Sequence, residues 1–247
     1  MDQSFAKFRR LDPEKIVETA ETLLKRIEER FPGCGLAKVV AELVEISRET
    51  ISKAEWIQRP NLFLRCVAAI LSLVILGTLF LLLKHIRQFN FDDFVNSMQG
   101  LDSAIGSMVF IGAAILFLIT WENRIKRRRA LKAVHELRAL AHIIDMHQLT
   151  KDPETYFGRG PNTTILRKRE MTPFELNRYL DYCSDALAVI SKVAALYVQG
   201  FQDPVLLDAV DDVEDLTAGF SRKIWQKITI LEQIRRSIEE EKTPPVL

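Results

Sequence analysis

CVAAILSLVILGTLFLLL, from Cys66 to Leu83, is eighteen residues without a charged side chain. A second uncharged run, IGSMVFIGAAILFLITW, extends from Ile105 to Trp121, and it reaches 19 residues with Ser103 and Ala104. A helix needs roughly 20 predominantly apolar residues to cross about 30 Å of hydrocarbon. One such run also suits a buried core helix. Two in succession, joined by the short KHIRQFNFDDFVNSMQGLD, predict a transmembrane hairpin. No short apolar region follows a basic start, so neither run reads as a signal peptide.

The hairpin divides the chain into three expected domains. Residues 1–61 form an N-terminal helical hairpin, 62–121 the transmembrane hairpin with a loop at 85–100, and 122–247 a C-terminal helical domain. Orientation follows from the basic residues beside the spans. NRIKRRRALK carries Arg124, Lys126, Arg127, Arg128, Arg129 and Lys132, whereas the connecting loop has Lys84 and Arg87 against Asp92, Asp93 and Asp102. The basic end stays inside, which puts both termini in the cytoplasm and the loop outside, and the expected location is a bacterial inner (plasma) membrane. Cys34, Cys66 and Cys183 show no metal or disulfide spacing, and Cys34 and Cys183 face the reducing side.

The near-neutral balance hides a split. Residues 122–170 hold twelve Lys/Arg against six Asp/Glu, and 171–247 hold eight against thirteen. Arg124, Lys126, Arg127, Arg128 and Arg129 are the candidate contacts to anionic lipid headgroups, at about 1 kcal/mol for each well-placed basic residue. The same cluster also serves simply as a topology signal. It is pinned beside the bilayer and lacks interleaved aromatics, which argues against nucleic acid.

Every polar segment reads as helix. Asp12-Pro13 starts the first, with Ile16, Ala20, Leu23, Leu24, Ile27 and Phe31 at helical spacing, and FPGCG stops it. Leu36, Val39, Leu43, Ile46, Thr50 and Ile57 mark a second that stops near Arg59-Pro60. The second span is expected to continue unbroken to Leu149, as a rigid strut, because Gly and Pro are absent from Ala113 onward. Residues 152–171 read as loop. TPFE at Thr172–Glu175 is a capping box opening a helix to about Gly200, and Asp203-Pro204 opens a last helix to about Glu241, followed by a frayed TPPVL tail. No strand alternation and no repeat occurs, so the fold class is all-α: a transmembrane hairpin on a helical bundle.

HELRALAHIIDMHQL holds three of the four histidines. At 100° per residue Val134, Leu137, Leu140, Ala141 and Ile144 share the packing arc, and His135, Arg138, His142 and Asp145 share an adjoining stripe. His147 points elsewhere. His135 and His142 stand two turns apart, roughly 10 Å, too far to hold one ion. His142 and Asp145 are an i, i+3 pair that needs further ligands from other helices or subunits, with Glu175, Asp181, Cys183 and Asp185 the nearest in sequence. The stripe is expected to be a polar network in which Asp145 pairs with Arg138 or His142. A solvated stripe is the other reading, and no metal is assigned.

The remaining motifs are weaker. DPVLLDAVDDVEDL lacks the glycine turn of a calcium loop, and Leu206, Val210, Val213, Phe220 and Ile224 place its aspartates on a solvated or arginine-facing side. GRGP at Gly158–Pro161 lacks the rest of a phosphate loop, and no G-x-S-x-G nucleophile signature is present. FNFDDFVNSM suits either a short interfacial helix or a hydrophobic turn. The spans contain no ionisable residue in their cores, which argues against a proton or ion relay.

These features point to a membrane-anchored scaffolding, interaction or sensing protein. It is expected to be homo-oligomeric, with lipid and cytosolic protein partners, and with neither an enzyme activity nor a cofactor. An oligomeric pore with hydrophobic gating is the alternative, and a metal-dependent enzyme around His142 and Asp145 the third reading.

Overall fold

The computed structural model describes residues 10–87, 94–151, 153 and 171–242. Within them the chain is all helical, with no strand: α1 Pro13–Arg30, α2 Gly35–Gln58, α3 Leu62–Arg87, α4 Phe94–Leu149, α5 Pro173–Val198 and α6 Pro204–Lys242. The GRGP segment and the TPPVL tail lie outside the described residues, as does most of the expected 152–171 loop. Helix claims more of the link between the apolar runs than the sequence suggested. α4 already begins at Phe94, inside FNFDDFVNSM, because no proline interrupts the stretch that follows.

The helix ends follow local chemistry. The Asp12 side chain accepts from the Glu14 N–H, with Pro13 at the first helical position. Thr172 and Glu175 close a reciprocal capping box, in which Glu175 accepts the Thr172 N–H at 2.6 Å. Asp203 accepts the Leu206 N–H at 3.2 Å. Between α1 and α2, Gly33 takes φ +72°, a left-handed conformation that an L side chain resists.

The chain divides into two compact units. One contains residues 1–58 and 130–247, and the other runs from Arg59 to Arg129. In the first, α5 lies against α1, α2 and α6. Leu176, Leu180, Leu187, Ile190, Val193 and Ala194 of α5 are fully buried, together with Ile27 of α1, Leu43 of α2 and Ile224 of α6. The section of α4 in this unit buries Val134, Leu137, Leu140, Ala141 and Ile144, the arc its periodicity marks.

The second unit inverts this pattern. α3 and α4 are both long and apolar enough to cross a membrane, and among the described residues none in either apolar stretch is buried. Phe63, Phe80 and Phe110 are 74%, 67% and 79% exposed.

One buried polar contact crosses the first unit. Thr50 Oγ1 of α2 donates to the Ile46 carbonyl at 2.7 Å and meets the Tyr197 hydroxyl of α5 at 3.0 Å. Thr50 has one proton and spends it on Ile46, so Tyr197 is the donor between the helices. Thr50→Val leaves a buried phenol without an acceptor, and is expected to cost roughly 1–3 kcal/mol in unfolding of the detergent-solubilised protein. Tyr197→Phe removes only the hydroxyl and is expected to cost about 1 kcal/mol. The reverse ranking would contradict this assignment.

Candidate functional site

The basic stretch after the second apolar run is not a uniform charged collar. Lys126 is buried, whereas Arg124 and Arg128 are exposed. Lys126 Nζ lies 2.9 Å from Glu122 Oε1 and also donates to the Arg59 carbonyl at 2.9 Å. The same Glu122 oxygen accepts the Asn61 N–H at 3.0 Å, one residue before α3 begins. The pair is only 10% and 13% exposed, so its charges are compensated by each other and by backbone groups rather than by water. Lys126 therefore belongs to a clamp between the foot of α4 and the residues leading into α3. Of the five residues expected at lipid headgroups, it is the one turned inward.

Its helical phase carries the signal. Lys126 stands seven residues before Ala133, eleven before Leu137 and eighteen before Ile144, all buried. Those intervals return to nearly the same direction on an α-helix.

The histidine stripe is spread over several partners. His135 is exposed. Arg138 reaches across to α6, 3.5 Å from Asp212. The His142 ring meets the Phe220 ring of α6 edge-on, with centroids 5.5 Å apart. Asp145 accepts from Gln148 Nε2 at 2.6 Å. The expected pairing of Asp145 with Arg138 or His142 thus gives way to separate contacts, two of them to α6. Among the described residues no three His, Cys, Asp or Glu side chains come together as a ligand set.

His147, off the stripe, is held most closely. Its ring lies against Gly35, the first residue of α2, where any β-carbon would collide with it. Next to it Cys34 Sγ accepts the Ala37 N–H at 3.3 Å, and Lys227 closes the end of α4 by donating to the Gln148 and Lys151 carbonyls at 2.7 and 3.2 Å. Burial, and then the Lys151 ammonium, hold the His147 imidazole below its ordinary value. The electropositive start of α2 acts in the same direction. Cys183, on α5, is buried, and that burial pushes its thiol far up.

A surface that the sequence did not single out lies between α1, α5 and α6. Arg26, Glu29 and Arg30 of α1, Arg178, Asp181, Tyr182, Ser184 and Asp185 of α5, and Trp225 and Ile228 of α6 line an open cavity of about 830 Å³. On one helix at a time these residues read as a solvated face, so only the packing of three distant segments reveals them.

Comparison of the chain with known protein families, with curated proteins and with solved structures found no match.

Two measurements test this geometry. Lys126→Met should lower unfolding stability in detergent by roughly 3 kcal/mol, because it strands Glu122, and leave retained anionic lipid unchanged. Arg124→Gln with Arg128→Gln should do the opposite, losing phosphatidylglycerol in native mass spectra by about 1 kcal/mol per residue. Lipid loss from the Lys126 variant would refute the assignment. His147 gives a pH test. A base held below its unfolded value binds fewer protons when folded, so its contribution is present above about pH 6.5 and is lost as pH falls through that value. His147→Gln should flatten the fall in stability between about pH 7 and 5, and an unchanged slope would remove His147 as its source.

Proposed function

We propose that this chain is a membrane-anchored scaffolding or interaction protein, held by two uncharged helical spans and carrying a helical unit for partners. The observation that carries this reading is that none of the described residues in either apolar stretch is buried and most are exposed, whereas the other unit buries its own apolar residues thoroughly. In water such exposure is strongly unfavourable, at about 25 cal/mol per Å² of apolar surface left uncovered. In hydrocarbon it costs nothing, and a helix satisfies its own backbone groups there.

Arg124 and Arg128, with Arg127 and Arg129 beside them, stand where the second run ends and suit anionic headgroups. By the positive-inside rule this end faces the cytoplasm of a bacterial inner membrane, with both termini on the same side. The helical unit presents Ile143, Met146, Leu149 and Trp225 to solvent, and these supply surface for a cytosolic partner or a second copy. No step of chemistry is assigned to the histidine stripe.

An oligomeric pore is the competing reading, and native mass spectrometry with bilayer recording separates the two. A scaffold predicts a low-order oligomer, most simply a dimer, that carries no current at any pH or voltage. A closed ring of four or more subunits with reproducible conductance would overturn the proposal.

A further inference from the structure

The cavity between α1, α5 and α6 has an ordered distribution of charge. At one end, the guanidinium carbons of Arg30 and Arg178 lie 5.5 and 5.7 Å from the centre of one ring, Phe174, which is itself 61% exposed. These arginines come from different helices, and a cation over a ring face is attracted by the ring quadrupole. Both arginines line the same cavity, and the ring neutralises neither one. Arg178 has one long contact to Asp181, at 3.4 Å, and the charge of Arg30 is felt by the Glu175 carboxylate without a direct ion pair among the described residues. Two guanidiniums so placed form a seat for an oxyanion, because each presents several N–H donors in a fixed plane.

Farther along α5 the sign changes. Asp181 and Asp185, one turn apart, line the same cavity, with the exposed Trp225 indole and Tyr182 beside them. Burial raises the Asp181 carboxyl above its usual range; Arg178 opposes the shift, and Asp185 and Glu232 add to it. Burial likewise raises Asp185, against the pull of Arg26 and Lys192. Asp181 is half-buried and Asp185 exposed on the same wall, and an ammonium placed between them and an aromatic face would be attracted by both.

We propose that this groove binds a small zwitterion bearing a phosphate ester and an ammonium group, with the phosphate on Arg30 and Arg178 and the ammonium on Asp181 and Asp185 beside Trp225. A cavity of about 830 Å³ leaves room for a further substituent on the phosphate. Sites for small molecules commonly span about 300–1,000 Å³, with a few convergent polar groups. The site stands on the geometry of the helical unit alone, and it does not depend on the membrane reading.

The test is calorimetric titration of the full-length protein in detergent with O-phosphoethanolamine, sodium phosphate and ethanolamine. The zwitterion should bind at least about tenfold more tightly than either fragment. Arg30→Gln with Arg178→Gln should abolish binding of both phosphate compounds, and Asp185→Asn should reduce the zwitterion to the affinity of phosphate alone. Arg30→Gln by itself breaks no ion pair among the described residues and keeps the test usable if the double variant misfolds. Absence of saturable binding, equal affinity for phosphate and the zwitterion, or variants that titrate like the parent would each overturn the proposal.

Nanodiscs identify the source of the ligand. Loss of the titration in phosphatidylethanolamine discs but not in phosphatidylglycerol discs supports the site with a lipid headgroup as occupant. Equal titration in both supports it with a soluble ester.

Discussion

α5 carries more apolar surface than any single neighbour can cover, and the helical unit is built around that constraint. Leu176, Leu180, Leu187, Ile190 and Val193 point in several directions from one helix, and all are sealed from solvent. Helices α1 and α2 on one side and α6 on another accomplish this, which brings residues near the start of the chain into one core with residues near its end. Thr50 enters that core with partners, Ile46 and Tyr197. The groove at the surface follows from the same arrangement: α1 and α6 meet α5 there and leave charged rims facing one another.

The Arg59–Arg129 unit answers the same problem differently. None of its described span residues is buried, and a compact polar clamp joins one Glu122 oxygen to both the Asn61 amide and the Lys126 ammonium. Lys126 also closes the Arg59 carbonyl, so two side chains from α4, Glu122 and Lys126, satisfy backbone groups on either side of the Pro60 break. A charged residue inside a basic run thereby serves as an internal tie.

Much of the fold is legible because helices announce themselves locally. The capping residues Asp12, Thr172 and Asp203, the Pro that follows each, and the buried arcs of α1, α4 and α6 follow from spacing and from hydrogen-bond chemistry within a turn or two. The candidate sites were less legible, for reasons that differ. Lys126 could have been found, since its phase matches Ala133, Leu137 and Ile144; its neighbours' charge concealed it. The contact of His147 with Gly35 and the pairing of Arg138 with Asp212 join segments that periodicity treats independently. The same holds for the Arg30–Phe174–Arg178 grouping, which exists only because α1 and α5 lie side by side.

The account rests on the claim that the two exposed apolar stretches cross a bilayer with the basic foot of α4 on the same side as both termini. Single-cysteine accessibility in sealed inverted and right-side-out vesicles tests this directly, with Cys34, Cys66 and Cys183 replaced by serine and new cysteines placed at Ser52, Gln88 and Ser237. The account predicts that a membrane-impermeant maleimide labels Ser52→Cys and Ser237→Cys only in inverted vesicles, and Gln88→Cys only in right-side-out ones. Labelling of all three positions from one side, or loss of the protein from the membrane in alkaline carbonate, would contradict it.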